Sequence, residues 1–375
     1  MKAIIHIGMP KAGSTTIQEC LWANRDTLLE NGVVYSRMRQ GQTPNREIWY
    51  AALLLSGADL GARTYRSRFG RHNPDEIAGV VEQYANHLDE TAKRDDLRLY
   101  VASSEHLYHL ERDGAIEALD RFLHARFDEV HYVAYLRCRE DFLLSRYSQH
   151  LRSGGTLQFD QYLDEQLTDD FAAPVDRWVK AVGADRITLR LLEPDALTGG
   201  DLVTDFLTLL NVPPTKMVQV PRQNEAFSAK AAVIARAVNE ELSRDGANQM
   251  ARRAILRHVR ISGQSDPRLT LNQDQRDRIC AATSDANEKL RLAFFPDRDF
   301  LFTPRGDGQA SSLANTDLPD EATARTLATD LIAKLRSGQI LTAKGHPARL
   351  RNLANKGGGR MRKTGGERNT IRDAQ

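Results

Sequence analysis

Nine consecutive residues, Gly8-Met9-Pro10-Lys11-Ala12-Gly13-Ser14-Thr15-Thr16, gather two glycines, a lysine and three hydroxyl side chains into one short stretch. Glycines let a backbone turn its N–H groups inward, and a helix that starts immediately afterwards adds the positive end of its dipole, so this is the composition of an anion-holding loop. Two glycines five apart also open the nucleotide-hydrolase loop G-x-x-x-x-G-K-[ST]. Here Ser14 stands where that loop has its lysine, and the lysine has moved to Lys11. A mid-loop lysine reaches a diphosphate-like group from another side than one that embraces β and γ phosphates. Arg137, at the end of an apolar run, and Ser145, eight residues on, form a second candidate anion contact about two helical turns long. Between the two lies Ser103-Ser104-Glu105-His106. A carboxylate or imidazole there can take the proton of a hydroxyl nucleophile. Glu105 is the preferred base, His106 the second choice and His109 a distant third.

These side chains need a scaffold that brings strand ends together. Ala3-Ile4-Ile5-His6-Ile7-Gly8 is a β-branched run that reads as a buried parallel strand, and the spacing of Ile17, Cys20, Leu21, Leu28 and Leu29 predicts a helix after the loop. Three more strands are expected at residues 99–103, 130–136 and 186–192. Helical patterns lie between them at 75–93, 115–127 and 142–152. Strands alternating with helices of this length imply right-handed crossovers and a parallel sheet covered on both faces, with Arg137 at a carboxyl edge where such sheets bind ligands. Alternation along a strand that continued through 103–106 would send Glu105 and His106 to opposite faces. His6, inside the first strand, reads as a core histidine bonded to backbone. From residue 200 the pattern turns helical, at 201–210, 229–242, 247–259 and 272–292, with another amphipathic stretch at 321–335. These helices are expected to pack around the sheet.

Pro10-Lys11-Ala12-Gly13-Ser14-Thr15-Thr16 resembles the P-K-x-G-[ST]-[ST] loop of sulfotransferases that use 3′-phosphoadenosine 5′-phosphosulfate. The pair Arg137 and Ser145 is similar to that family's second motif, and Ser145-Arg146-Tyr147-Ser148-Gln149 matches the S-x-Y-x-Q continuation of bacterial members. The resemblance implies an α/β fold of the P-loop type with helical additions in the C-terminal half. It also implies that Lys11, Ala12, Gly13, Ser14, Thr15 and Thr16 hold the 5′-phosphosulfate, that Lys11 stabilises the bridging oxygen as the sulfuryl group leaves, and that Arg137 and Ser145 hold the 3′-phosphate. A glutamate or histidine in the region of Glu105 and His106 serves as the base. No metal is implied. Family members often place a tryptophan against the adenine just after the loop, where this chain has Ile17. The segment 222–228 also resembles a stretch of bacterial members, with no role to assign. The likeness runs over about residues 1–302. The acceptor stays open among glycans, lipids and small alcohols, as a hydroxyl or an amine.

Composition bounds the alternatives. With 27% charged and 41% hydrophobic residues the chain has the make-up of a soluble globular protein. Cys20, Cys138 and Cys280 are too scattered for a disulfide framework or a metal cluster, and the opening residues lack the pattern of a signal peptide, so a cytoplasmic protein is expected. From 343 to 375 nine Lys or Arg face Glu367 and Asp373, a formal +7 that leaves about −5 for the rest of a chain of net +2. The expected organisation is a sulfotransferase-like domain over 1–302, a link with a helical extension over 303–342, and a basic disordered tail over 343–375, charged to contact acidic surfaces. A nucleotide kinase or NTPase is the rival on the same fold, but Ser14 displaces its lysine and no strand ends in an aspartate for magnesium. An anion-binding module with a basic docking tail is the rival of another class. That tail carries no aromatic residue for base stacking, which argues against nucleic acid.

Overall fold

The computed structural model describes residues 1–35, 47–57, 74–168, 170, 172–218, 220, 226–244, 249–263, 265–304 and 318–339. The expectations for 222–225, most of the link and the whole basic tail lie outside the described residues. Five strands, β1 (Lys2–His6), β2 (Val33–Tyr35), β3 (Leu99–Ser103), β4 (Glu129–Leu136) and β5 (Ile187–Leu191), form one sheet in the order β2-β3-β1-β4-β5. Every pairing is parallel, and β1 lies between β3 and β4 with His6 in register with Ser103 on one side and Val133 on the other. Because successive strands fall first on one side of β1 and then on the other, the chain direction switches beside β1, and a crevice opens there at the strands' carboxyl ends.

The sheet is sandwiched by α1 (Ser14–Ala23), α2 (Arg25–Glu30), α3 (Glu47–Leu55), α4 (Pro74–Ala92), α5 (Ala115–His124), α6 (Arg139–Arg152), α7 (Phe159–Gln166), α8 (Ala173–Val182) and α9 (Leu202–Leu209). Being covered on both faces, β3 is buried along its whole length and β4 along nearly all of it, which is why their apolar residues run on without alternating. Tyr132, Tyr135, Trp178 and Phe206 fill the core beside β4. Asp205 is buried there with them. It accepts from Tyr135 Oη at 2.6 Å, from Arg190, and from the Thr198 amide and hydroxyl at 2.9 and 3.0 Å. Burial alone would raise its pKa; the bonds from Arg190, Tyr135 and Thr198 outweigh that and hold the carboxyl below its usual range.

Four more helices follow, α10 (Ala229–Arg244), α11 (Gln249–Ser262), α12 (Gln273–Phe294) and α13 (Glu321–Arg336). Of these, α12 sends Ile279 and Leu290 into the sheet's core. The others pack on one another instead, around Val238, Leu242, Ile255, Ile332 and Leu335, and this second cluster meets the first domain half through Tyr147 and Leu151 of α6 and Tyr162 of α7. The helices expected to pack around the sheet thus divide in two.

Candidate active site

The loop after β1 is folded tightly. Lys11 and Gly13 both take positive φ, 65° and 87°. For a lysine the left-handed region costs on the order of 1–3 kcal/mol, so the surrounding contacts must hold it there. One of them is Arg137, whose Nη1 donates to the Lys11 carbonyl at 2.7 Å and ties the end of β4 to the loop. Gly13 is favoured by its positive φ, and a Cβ there would stand 2.2 Å from Leu202 Cδ2 and push that side chain aside. Gly8 is equally confined, since a Cβ there would lie 2.5 Å from Ser14 Oγ and 2.8 Å from the His6 ring. Ser14 opens α1, and its hydroxyl is buried without a hydrogen-bond partner among the described residues. An unmet hydroxyl at a helix N-terminus next to Lys11 is a donor waiting for an anion.

Ala12 differs from the expectation. It is fully buried, lies outside the cavity lining, and its amide donates to the Met9 carbonyl at 3.2 Å, so its role is to close the turn.

The strand reading of residues 103–106 also needs correction. β3 ends at Ser103, and Glu105–Leu107 form a single 3₁₀ turn, held by Ser104 N to the His6 carbonyl at 2.9 Å and by Trp178 Nε1 to the Leu107 carbonyl at 3.2 Å. Strand alternation therefore does not govern Glu105 and His106; the turn separates them. Glu105 faces the crevice. His106 stacks on Trp49 with ring centroids 4.9 Å apart and is absent from the cavity lining, as is His109.

His6 is buried as expected, but its partner is a side chain rather than backbone: Nδ1 pairs with Ser103 Oγ at 2.8 Å, and Gln18 Nε2 donates to the same hydroxyl at 3.2 Å. Burial lowers its pKa to about 3. A neutral imidazole with aromatic edges against Tyr135 and Phe206 is part of the floor beneath the loop.

One cavity of about 510 Å³ gathers Lys11, Gly13, Ser14, Thr15, Thr16, Glu105, Arg137 and Ser145. That volume falls within the range of small-molecule sites. Four cations, Lys11, Arg137, Arg152 and Arg268, face three carboxylates, Glu19, Glu105 and Asp141, so the lining carries a positive excess. Sequence reasoning missed Arg152, Arg268 and Phe227. Arg152 was within reach, because Asp141, Ser145, Ser148 and Arg152 share one face of α6 at helical spacing. Arg268 and Phe227 come from the segments that flank α10 and α11 and are joined by the Ser228–Arg268 bridge; no local pattern announces them. Ile17, in the position of the family's tryptophan, is buried in the core and does not line this cavity.

No family model and no curated protein matches this chain. Among solved structures it is similar to the crystal structure of a sulfotransferase from Alicyclobacillus acidocaldarius, at 14% identity and a TM-score of 0.36, over 73% of this chain and 98% of that one. A likeness that faint assigns no chemistry. The chemistry has to come from the cavity.

Proposed function

We propose that this chain is a sulfotransferase that takes 3′-phosphoadenosine 5′-phosphosulfate as donor and passes the sulfuryl group to a hydroxyl or amine of an acceptor. The observation that supports this best is that the loop bearing Lys11, the pair Arg137 and Ser145, and Glu105 all line a single cavity. A donor with phosphate groups at both ends of one ribose needs two anion contacts set apart, and the residues present fit it. Lys11, Thr15, Thr16 and the orphaned Ser14 hydroxyl form one contact at the start of α1. Arg137 and Ser145 form the other, and Arg152 and Arg268 line the same cavity.

When bound, the donor supplies an activated sulfur with a good leaving group. The protein's part is positioning and charge. Lys11 neutralises the oxygen that keeps the electron pair of the broken S–O bond. Glu105 accepts the proton of the acceptor hydroxyl as the new bond to sulfur forms. Arg137 holds Lys11 in its strained turn while its remaining donors serve the 3′-phosphate. Transfer of label from 35S-labelled donor to a mixture of sugars, lipids and alcohols, in the presence of a chelator, tests this. Chelator-resistant labelling is expected; a reaction abolished by the chelator, with ATP consumed instead, would make the chain a kinase.

A further inference from the structure

A second cavity, of about 290 Å³, opens on the other face of α6. Arg139, Phe142 and Arg146 line it at helical spacing, whereas Asp141, Ser145, Ser148 and Arg152 of the same helix line the first. The two cavities share their other walls too. Met9 borders the second and Lys11 the first, with Cα atoms at most about 7–8 Å apart along the chain. Tyr108 and Glu105 divide in the same way.

The second cavity, too, has a positive excess in its lining. The guanidiniums of Arg139 and Arg146 stand 5.0 and 5.9 Å from the centre of the one Phe142 ring, and Arg177 of α8 faces the same space. Arg139 is anchored by a bond of 2.6 Å to the Gln166 carbonyl. For Arg146 and Arg177 no ion pair exists among the described residues. Among the described residues two carboxylates border the space: Glu111 is exposed, and Asp170 caps α8, accepting from the amides of Ala172 and Ala173 at 2.9 and 3.2 Å. Tyr108, only 2% exposed, adds a hydroxyl that has no partner among the described residues. The Arg146 and Arg177 guanidiniums and a buried orphan hydroxyl around a concave, partly aromatic space match an oxyanion carried on a larger molecule.

We infer that this cavity binds the acidic group of the sulfuryl acceptor, a carboxylate or sulfate ester, and that the enzyme therefore acts on acid-bearing acceptors. This rests on the proposed sulfuryl transfer, since the acceptor's nucleophile must reach Glu105 from a site outside the donor cavity.

The full chain, saturated with 3′-phosphoadenosine 5′-phosphate to fill the first cavity, is treated with phenylglyoxal, and modification of Arg146 and Arg177 is followed by peptide mass spectrometry. Inorganic sulfate, methyl β-D-glucuronide or methyl β-D-glucoside is present as competitor. Slowing by sulfate or by the glucuronide, with the glucoside inert, is expected. No slowing by either anion, or equal slowing by the glucoside, overturns the inference. In parallel, Arg146→Gln and Arg177→Gln should raise KM for acidic acceptors about tenfold, the loss of one charge-assisted bond, and leave kcat and affinity for 3′-phosphoadenosine 5′-phosphate unchanged. Equal KM values in variants and wild type contradict it. If the nucleotide fails to bind the wild type, the proposed function falls, while the labelling still decides whether this cavity is an oxyanion site.

Discussion

The cavity has two kinds of wall. One is built at the carboxyl edge of the sheet, from the loop after β1, the turn after β3 and the end of β4, and every side chain on it stands within a few residues of a strand whose register fixes it. The other is built by the helical half, from Ala226, Phe227, Arg268, Leu269 and Thr270, which hang on a separate apolar cluster and one antiparallel bridge. The difference is one of support and of role. Parallel strands buried on both faces hold the first wall through their register, whereas the second wall is held by its own apolar cluster. On the proposed function the reacting groups, with the loop and Arg137, stand on the first wall, and the second adds binding contacts only.

Substitutions can break this contrast, and the largest effect is expected on the sheet side. Glu105→Gln should lower kcat by about 10²–10⁴ while leaving nucleotide affinity near that of the wild type, read in single-turnover assays. Lys11→Ala should cost about 10²–10³ in kcat, the range for losing one donor to a developing oxyanion. A variant of either with normal turnover would move the chemistry away from the sheet edge.

The floor beneath the loop predicts a stability effect. His6 stays neutral in the fold, with a pKa lowered to about 3 from an ordinary value of 6.5, so between those values the unfolded chain binds a proton that the native state refuses. Stability must therefore fall as pH drops below about 6.5, by ~2–3 kcal/mol between pH 6.5 and 4.5. Urea midpoints of wild type and His6→Gln at the two pH values check this; the variant should lose that share of the slope. The smallest effect belongs to the helical wall: Arg268→Ala should weaken nucleotide binding about tenfold and leave the rate of the bound complex unchanged. A fall in kcat instead would make this wall part of the catalytic machinery.

The same contrast explains what could be read in the amino-acid sequence. That the loop, Arg137 and Ser145 meet at one cavity was legible because their signals are local: two glycines at fixed spacing after a β-branched run, and an arginine where such a run ends. The α/β character followed from alternating strands and helices. β2 escaped notice because three residues carry no period; the strand end at Ser103 was read correctly, but nothing in Ser-Ser-Glu-His announces the 3₁₀ turn that follows it. What places Glu105 in the cavity and turns His106 toward Trp49 is packing from distant segments, Trp178 on one side and Trp49 on the other. Arg268, Phe227 and the second cavity are assembled by contacts across the chain and were invisible for the same reason. Ala12 was placed with its neighbours by motif alone, and the turn's own hydrogen bond removes it from the cavity.

The central claim is that Lys11 and Arg137 hold the two ends of one nucleotide. Calorimetric titration of the full chain with 3′-phosphoadenosine 5′-phosphate and with adenosine 5′-phosphate, both in a chelator, tests it most directly. The account predicts tight binding of the first and, for want of the 3′-phosphate, at least ~10-fold weaker binding of the second, with the gap narrowed in Arg137→Ala. Equal affinity for the two nucleotides in the wild type, or a gap unchanged in Arg137→Ala, would contradict it.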